Sequence, residues 1–299
     1  MKKLILLFLL VFGTCAVMAQ DDTSSESVAS LEQLLVYENP KIYVRVGEIK
    51  YVPKKVSEKA TSIVVDVLSS VATKSNTTSV PVEDESMVAP AIETLQQAAS
   101  KALRFQLVAD DFTQQQLDSH PCLELTATIT GCNTTVRMHN NYSDKLITIS
   151  AFVYLTDPKT GEIKASRQVT SDTWASEYET FEGAKNRTIY NLGVYTINIF
   201  NRWYPLRGHM LEKGFEKGKK QKLKEIFIDL GSANGLGTGY TCNVYTVRRI
   251  AGRIARKYIG RGRVAEVLGD DITSVELKKG ADLIKQAFDN GAELAVEVF

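Results

Sequence analysis

A run of alternating residues between positions 123 and 173 restricts the fold more than any other feature of the chain. "LELTATITGCNTTVRM" and "KLITISAFVYLTD" place apolar or β-branched residues at every second position, the period of a half-buried strand. The polar link "HNNYSD" joins them as a turn. Asp157-Pro158-Lys159-Thr160-Gly161 is then a tight turn that feeds another strand through residue 173.

Helical patterns flank this β region. "KIYVRVGEIKYV" alternates at Ile42, Val44 and Val46 and predicts a strand. Residues 57–73 set Ala60, Ile63, Val64, Val67, Leu68 and Val71 at helical spacing. A second helix is predicted over 87–103, with Val88, Ala91, Ile92, Leu95, Ala99, Ala102 and Leu103 on one face and Ser86 as its cap. "RFQLVADD" closes a strand–helix–strand unit. Past the β region, residues 187–204 predict a helix burying Ile189, Leu192, Ile199, Phe200 and Trp203, and stopped by Pro205.

"RGHMLEKGFEKGKKQKLKE" reads as the chain's principal basic run and as a solvated linker. Beyond it, "EIFIDL", "YTCNVYTV", "IGRGRVAEVLG", "ITSVELK" and "ELAVEV" are short strands, with Gly269-Asp270-Asp271 as a hairpin turn and a helical segment from Ala281 to Phe288. Many short strands with turns between them suggest a small barrel. The expected fold class is α+β: an α/β sandwich-like domain over 39–212, a basic linker over 213–224 and a small β-barrel over 225–299.

The N-terminus carries an export pattern. Lys2 and Lys3 precede the apolar run Leu4 to Phe12, and small residues end at Val17-Met18-Ala19. That run falls short of the roughly 20 apolar residues a membrane helix needs. Residues 1–19 are expected to be a signal peptide cut before Gln20, and 20–38 a polar tether. Lipidation at Cys15 is the competing reading, although Phe12-Gly13-Thr14 is a poor lipobox. An exported chain belongs in the periplasm or on the periplasmic face of the outer membrane.

Chemistry is scarce. The net charge of +1 supplies no global field for nucleic acid, and no nucleic-acid partner is expected. Cys122 and Cys132 end one predicted strand, roughly 30 Å apart, whereas a disulfide tolerates about 7 Å. With no CxxC spacing and with His120, His139 and His209 scattered, no metal site is expected. GxSxG, HExxH and DxDxDG are missing from the sequence. Asp110-Asp111, Asp270-Asp271 and Glu83-Asp84-Glu85 read as turn and loop acids. "GSANGLGTG" invites a nucleotide loop, yet a phosphate cradle leads into a helix and carries Lys-Ser/Thr. Here strand-like "YTCNVYTV" follows, so Gly231, Gly235 and Gly239 are expected at barrel turns. No catalytic residue and no cofactor are expected, and the chain does not read as an enzyme.

Around "YLTDPKTGEIKASRQVTSDT" the sequence resembles the CsgG-like family of outer-membrane and periplasmic assembly proteins, named for the curli secretion component. The resemblance covers roughly residues 39–210, and its one crisp motif is the turn Thr160, Gly161, Glu162. "IFIDLGSANGLGTGYTCNVYTV" and "IGRGRVAEVLGDDITSVEL" resemble the C-terminal domain of flagellar assembly protein T, through Gly231, Gly235 and Gly239. The resemblance implies a non-enzymatic envelope assembly or scaffold protein whose partners are envelope proteins or further copies of itself. Two alternatives stay open: a lipid-anchored, ring-forming secretion channel subunit, and an activator of a peptidoglycan synthase. The Thr-rich face of strands 123–157 and the short polar stretch after Asp172 depart from a membrane-inserting hairpin, while membrane association is left open.

Overall fold

In the computed structural model, residues 37–53, 81–108, 121–138, 143–175, 180–217 and 222–299 are described. The first half runs β1 (Ile42–Tyr51), β2 (Pro81–Glu83), α1 (Val88–Ser100), β3 (Phe105–Leu107), β4 (Cys122–Met138), β5 (Ser143–Thr156), β6 (Ile163–Ala175) and α2 (Phe181–Trp203). The second half runs β7 (Leu206–Lys213), β8 (Glu216–Lys217), β9 (Lys222–Leu223), β10 (Glu225–Ile228), β11 (Thr241–Ile250), β12 (Arg253–Val267), β13 (Thr273–Lys279), α3 (Ala281–Asp289) and β14 (Leu294–Val298). The fold is α+β. The signal peptide, most of the tether, the helix expected over 57–73, His120, His139 and the centre of the "HNNYSD" turn lie outside the described residues.

The strands of the first half make one sheet in the order β3-β1-β4-β5-β6, with β2 added beside β4. β1 is parallel to β3 and β4, whereas β4, β5 and β6 are antiparallel. Period-two alternation sorts the sheet into two faces. Leu125, Ala127, Ile129, Ile147, Ile149, Ala151, Val153 and Leu155 point into the core. Thr128, Phe152 and Gln168 lie side by side on the other face. A bulge between Ile129 and Gly131 shifts the register, so that Cys132 and Thr134 are buried in place of the odd-numbered positions.

Both helices cover the apolar face. α1 contributes Ala91, Leu95, Ala98 and Ala99, and α2 contributes Ala184, Leu192 and Phe200 to the same core. Ser86 is not the cap that starts this helical region. Asp84 caps the short 3-10 turn Glu85–Met87 that leads into α1, accepting from Ser86 N at 3.2 Å. α2 begins at Phe181 rather than 187, capped by Thr180, whose hydroxyl accepts from Gly183 N at 3.0 Å. Its buried face holds polar residues that find internal partners. Thr188 and Thr196 donate to the carbonyls of Ala184 and Leu192 at 2.9 and 2.7 Å. Lys185 lies 2.8 Å from Asp84 and 3.2 Å from Glu182.

The second half is a closed barrel of six strands in the order β10-β13-β12-β11-β14-β7. Closure uses β7, which pairs with both β14 and β10. The barrel therefore takes in β7 from Leu206, inside the stretch expected to belong to the first domain, and the small β8–β9 sheet lies within the stretch 213–224. Leu206 and Met210 in β7, and Leu223 in β9, are buried in the barrel core and hold these polar sequences in place. Ala281 and Ile284 of α3 join the same core. Leu103, from the turn after α1, packs into it from the sheet side.

Candidate interaction surface

The expected motif residues occupy two separate places. Thr160, Gly161 and Glu162 form the turn between β5 and β6. Gly161 has φ of 69° and donates to the Asp157 carbonyl at 2.8 Å. The Asp157 carboxylate accepts from Lys159 N at 2.8 Å. The Thr160 hydroxyl accepts from Glu162 N at 3.3 Å. A hollow of about 340 Å3 beside it is lined by Ile42, Cys122, Leu123, Asp157, Lys164 and Tyr204.

The glycine run instead joins β10 to β11. Gly231 precedes a single 3-10 turn, Ser232–Asn234, and Gly235 ends that turn in the left-handed region. Gly239 donates to Val264 O at 2.9 Å and feeds β11. The amides that a phosphate would need already have acceptors: Ser232 N donates to Gly269 O at 3.0 Å and Ala233 N to Asp270 O at 3.1 Å. The Ser232 hydroxyl adds a 2.7 Å bond to the Asp270 carboxylate. The glycine loop is thus a clasp on the β12–β13 hairpin turn.

His209 lies between two acids. Its Nδ1 is 2.8 Å from Asp229 and its Nε2 is 3.5 Å from Glu293. Burial pushes the Glu293 carboxyl up, and the neighbouring His209 opposes that shift. Both ring nitrogens face carboxylates, so the imidazole ties β7 to the segments after β10 and before β14. Among the described residues no group of three or more His, Cys, Asp and Glu is placed to hold a metal ion.

The charged feature that sequence reading passed over is the β11–β12 hairpin. Seven of the sixteen residues from Arg248 to Arg263 are Arg or Lys, and none is Asp or Glu. The run 207–225, expected to be the principal basic segment, contains Glu212, Glu216 and Glu225. The hairpin's charge density was legible in the sequence; what hid it was reading β11 and β12 as separate short strands.

Geometry turns that charge into a projecting arm. β11 pairs with β14 only as far as Thr246, and β12 meets β13 only from Arg261. Between them, Arg248–Ile250 and Arg253–Ala255 pair with one another alone among the described strands. Ala251 and Gly252, with φ of 48° and 77°, make the two-residue turn whose twist suits a hairpin. Arg248, Arg249, Ile250, Arg253, Ile254, Lys257 and Tyr258 are all exposed. At the root, Tyr245 and Tyr258 meet edge to face at 5.9 Å. They border a groove of about 460 Å3 that also takes in Arg202, Arg261, Glu297 and Phe299. Arg202 stacks on the Phe299 ring at 5.2 Å. Glu297 is held by Arg256 at 2.8 Å and Arg207 at 3.3 Å, so the groove's one acid is already paired.

No family model matches the chain, and no curated protein matches it. Several solved structures overlap part of it. A protein of Xanthomonas campestris described by family model DUF330 is 10% identical over 55% of this chain and 86% of its own, with a TM-score of 0.32. The PelC dodecamer from Paraburkholderia phytofirmans is 8% identical over 56% of this chain and 90% of its own, with a TM-score of 0.27. A minor lipoprotein from Acinetobacter baumannii is 9% identical over 55% of this chain and 89% of its own, with a TM-score of 0.25.

Proposed function

We propose that this chain is an exported component of the Gram-negative cell envelope that works by binding rather than by catalysis, as a structural or assembly factor. The observation that carries the reading is the arm formed by β11 and β12. It is a cationic ribbon rooted in a closed barrel, with both of its faces and both outer edges open to a partner. A two-stranded ribbon is marginal on its own in water, and this one adds the mutual repulsion of its arginines. Such a ribbon is suited to contact with something anionic. The positive–apolar–small pattern from Lys2 to Ala19 supports export. The resemblance to CsgG-like proteins, carried by Thr160, Gly161 and Glu162, supports an assembly role.

Cell fractionation with N-terminal sequencing tests the reading. The expected product begins at Gln20 and is found in the periplasm or with the outer membrane. An uncleaved chain beginning at Met1 and confined to the cytosol overturns it.

A further inference from the structure

We infer that the tip of the β11–β12 hairpin docks on an anionic phospholipid surface, with Ile250 and Ile254 entering the acyl boundary and Arg248, Arg249, Arg253 and Lys257 lying at headgroup level. The inference rests on the proposed export, because it names what an exported binding protein would touch.

Three features select a bilayer over other anionic partners. First, the apolar residues stand at the extremity. Ile250 and Ile254 flank the Ala251-Gly252 turn and are 62% and 45% exposed. At about 3.3 Å per residue, Ile250 stands roughly 13 Å beyond the last β14 pairing at Thr246, and Ile254, level with Arg249, roughly 10 Å. Second, the cations ring that tip on both faces. Arg249 pairs with Ile254 on one face and Ile250 with Arg253 on the other, so each isoleucine has an arginine beside it. Arginine stems can lie along apolar surface while their guanidinium groups reach phosphate. Third, Arg248, Arg249, Arg253 and Lys257 make no ion pair with any described residue, so binding would break none. A second copy of the arm would bring like charges together. Single-stranded nucleic acid calls for aromatic platforms along the strand, and the ribbon's tyrosines sit at its root.

The test is cosedimentation of the processed chain, starting at Gln20, with phosphatidylcholine vesicles made with and without phosphatidylglycerol. Binding is expected only with phosphatidylglycerol and is expected to weaken as salt rises. A cation near an anionic surface contributes about fivefold in affinity, so the triple variant Arg248→Glu/Arg249→Glu/Arg253→Glu should lose at least about a hundredfold. The double variant Ile250→Ser/Ile254→Ser keeps every charge and should also lose affinity, about tenfold, from the lost apolar burial. All these side chains are exposed, and unchanged melting midpoints will confirm that both variants fold. The inference is overturned if the wild-type chain ignores phosphatidylglycerol. It is also overturned if the isoleucine variant binds as well as wild type, or if a single-stranded oligonucleotide binds as tightly as the vesicles. Those failures leave cleavage before Gln20 untouched, so they are distinguishable from failure of the export reading.

Discussion

Asn39 grips the backbone of Arg207 with both ends of its side-chain amide. Its Oδ1 accepts from Arg207 N at 2.9 Å and its Nδ2 donates to Arg207 O at 2.7 Å. The residue that leads into β1 thereby acts as a one-residue strand beside the start of β7. Two further bonds strengthen the seam: Lys41 Nζ donates to Leu103 O at 2.8 Å, and Leu103 N donates to the Asn201 side chain at 2.8 Å. The sheet and the barrel are therefore joined by the Asn39–Arg207 pair and by Leu103, which Lys41 and Asn201 of its own half hold in place as its side chain enters the barrel core.

Replacing Asn39 by Ala removes both bonds and leaves two backbone groups of Arg207 partly buried. The expected loss is about 2 kcal/mol, read as a lower midpoint in urea with an unchanged slope. Asn39→Asp should lose at least as much, because its carboxylate still accepts from Arg207 N but sets a second acceptor oxygen against Arg207 O.

Gly231 and Gly235 should respond differently to alanine. A Cβ at Gly231 would sit 2.3 Å from Gly269 O and 2.4 Å from the Asp270 carbonyl carbon. Both are backbone atoms that cannot move aside without opening the clasp. Gly231→Ala should cost about 3 kcal/mol. At Gly235 nothing lies within 4 Å of an added Cβ, and only its φ of 78° resists substitution. Gly235→Ala should cost about 1 kcal/mol. Thermal melts of the two variants make the comparison.

The Asp84–Lys185 pair predicts a pH window. Burial works to raise the Asp84 carboxyl, but hydrogen bonds from Lys185 and Ser86 outweigh it and hold the group below its ordinary 3.8. The hydrogen bond to Asp84 raises the Lys185 ammonium above its ordinary 10.5, against burial. A lowered carboxyl stabilises the fold above its unfolded value and ceases to do so as pH falls through its folded value. A raised ammonium stabilises below its unfolded value and ceases as pH rises past its folded one. The pair thus contributes fully between about pH 4 and pH 10. Asp84→Asn leaves Lys185 with Glu182 as its remaining acid, 3.2 Å away, and should cost about 2 kcal/mol at neutral pH. The difference from wild type should shrink once wild-type Asp84 is itself protonated, which stability curves across the acid range will show.

The thiols should be silent in the folded chain. Burial pushes the Cys132 and Cys242 thiols up to about 12, and burial also raises half-buried Cys122. At pH 8 an aromatic disulfide reagent should label Cys132 and Cys242 only after denaturation. Rapid labelling of either in the native chain contradicts the packing described for β4 and β11.

Legibility in the sequence followed how local each signal was. The alternation of β4, β5 and β6 is local, and their extents agree with the pattern to within a few residues. The face of α1 was equally plain. The start of α2 was not, because Ala184, Lys185 and Thr188 are small or polar. Their burial depends on the distant Asp84 and on bonds the helix makes to itself. Barrel closure was hidden for the same reason. β7 reads as Leu-Arg-Gly-His-Met-Leu-Glu-Lys, and only its pairing with β10 and β14 gives its alternate residues an inside. The glycine loop was legible as a corner from the strand that follows it. The Gly269-Asp270-Asp271 turn is likewise local, but the bonds by which the glycine loop clasps it join residues nearly forty positions apart and show only in three dimensions. The hairpin arm was legible as charge and illegible as geometry, since its exposure depends on where β13 and β14 stop pairing.

The most direct test of binding through the arm compares envelope retention of the wild-type chain and the Arg248→Glu/Arg249→Glu/Arg253→Glu chain in cells. Both are processed to Gln20 and fold alike in this account. The wild-type chain should sediment with envelope membranes at low salt and be released at high salt, while the variant should stay in the soluble fraction throughout. Equal distribution of the two chains at every salt concentration would contradict the account.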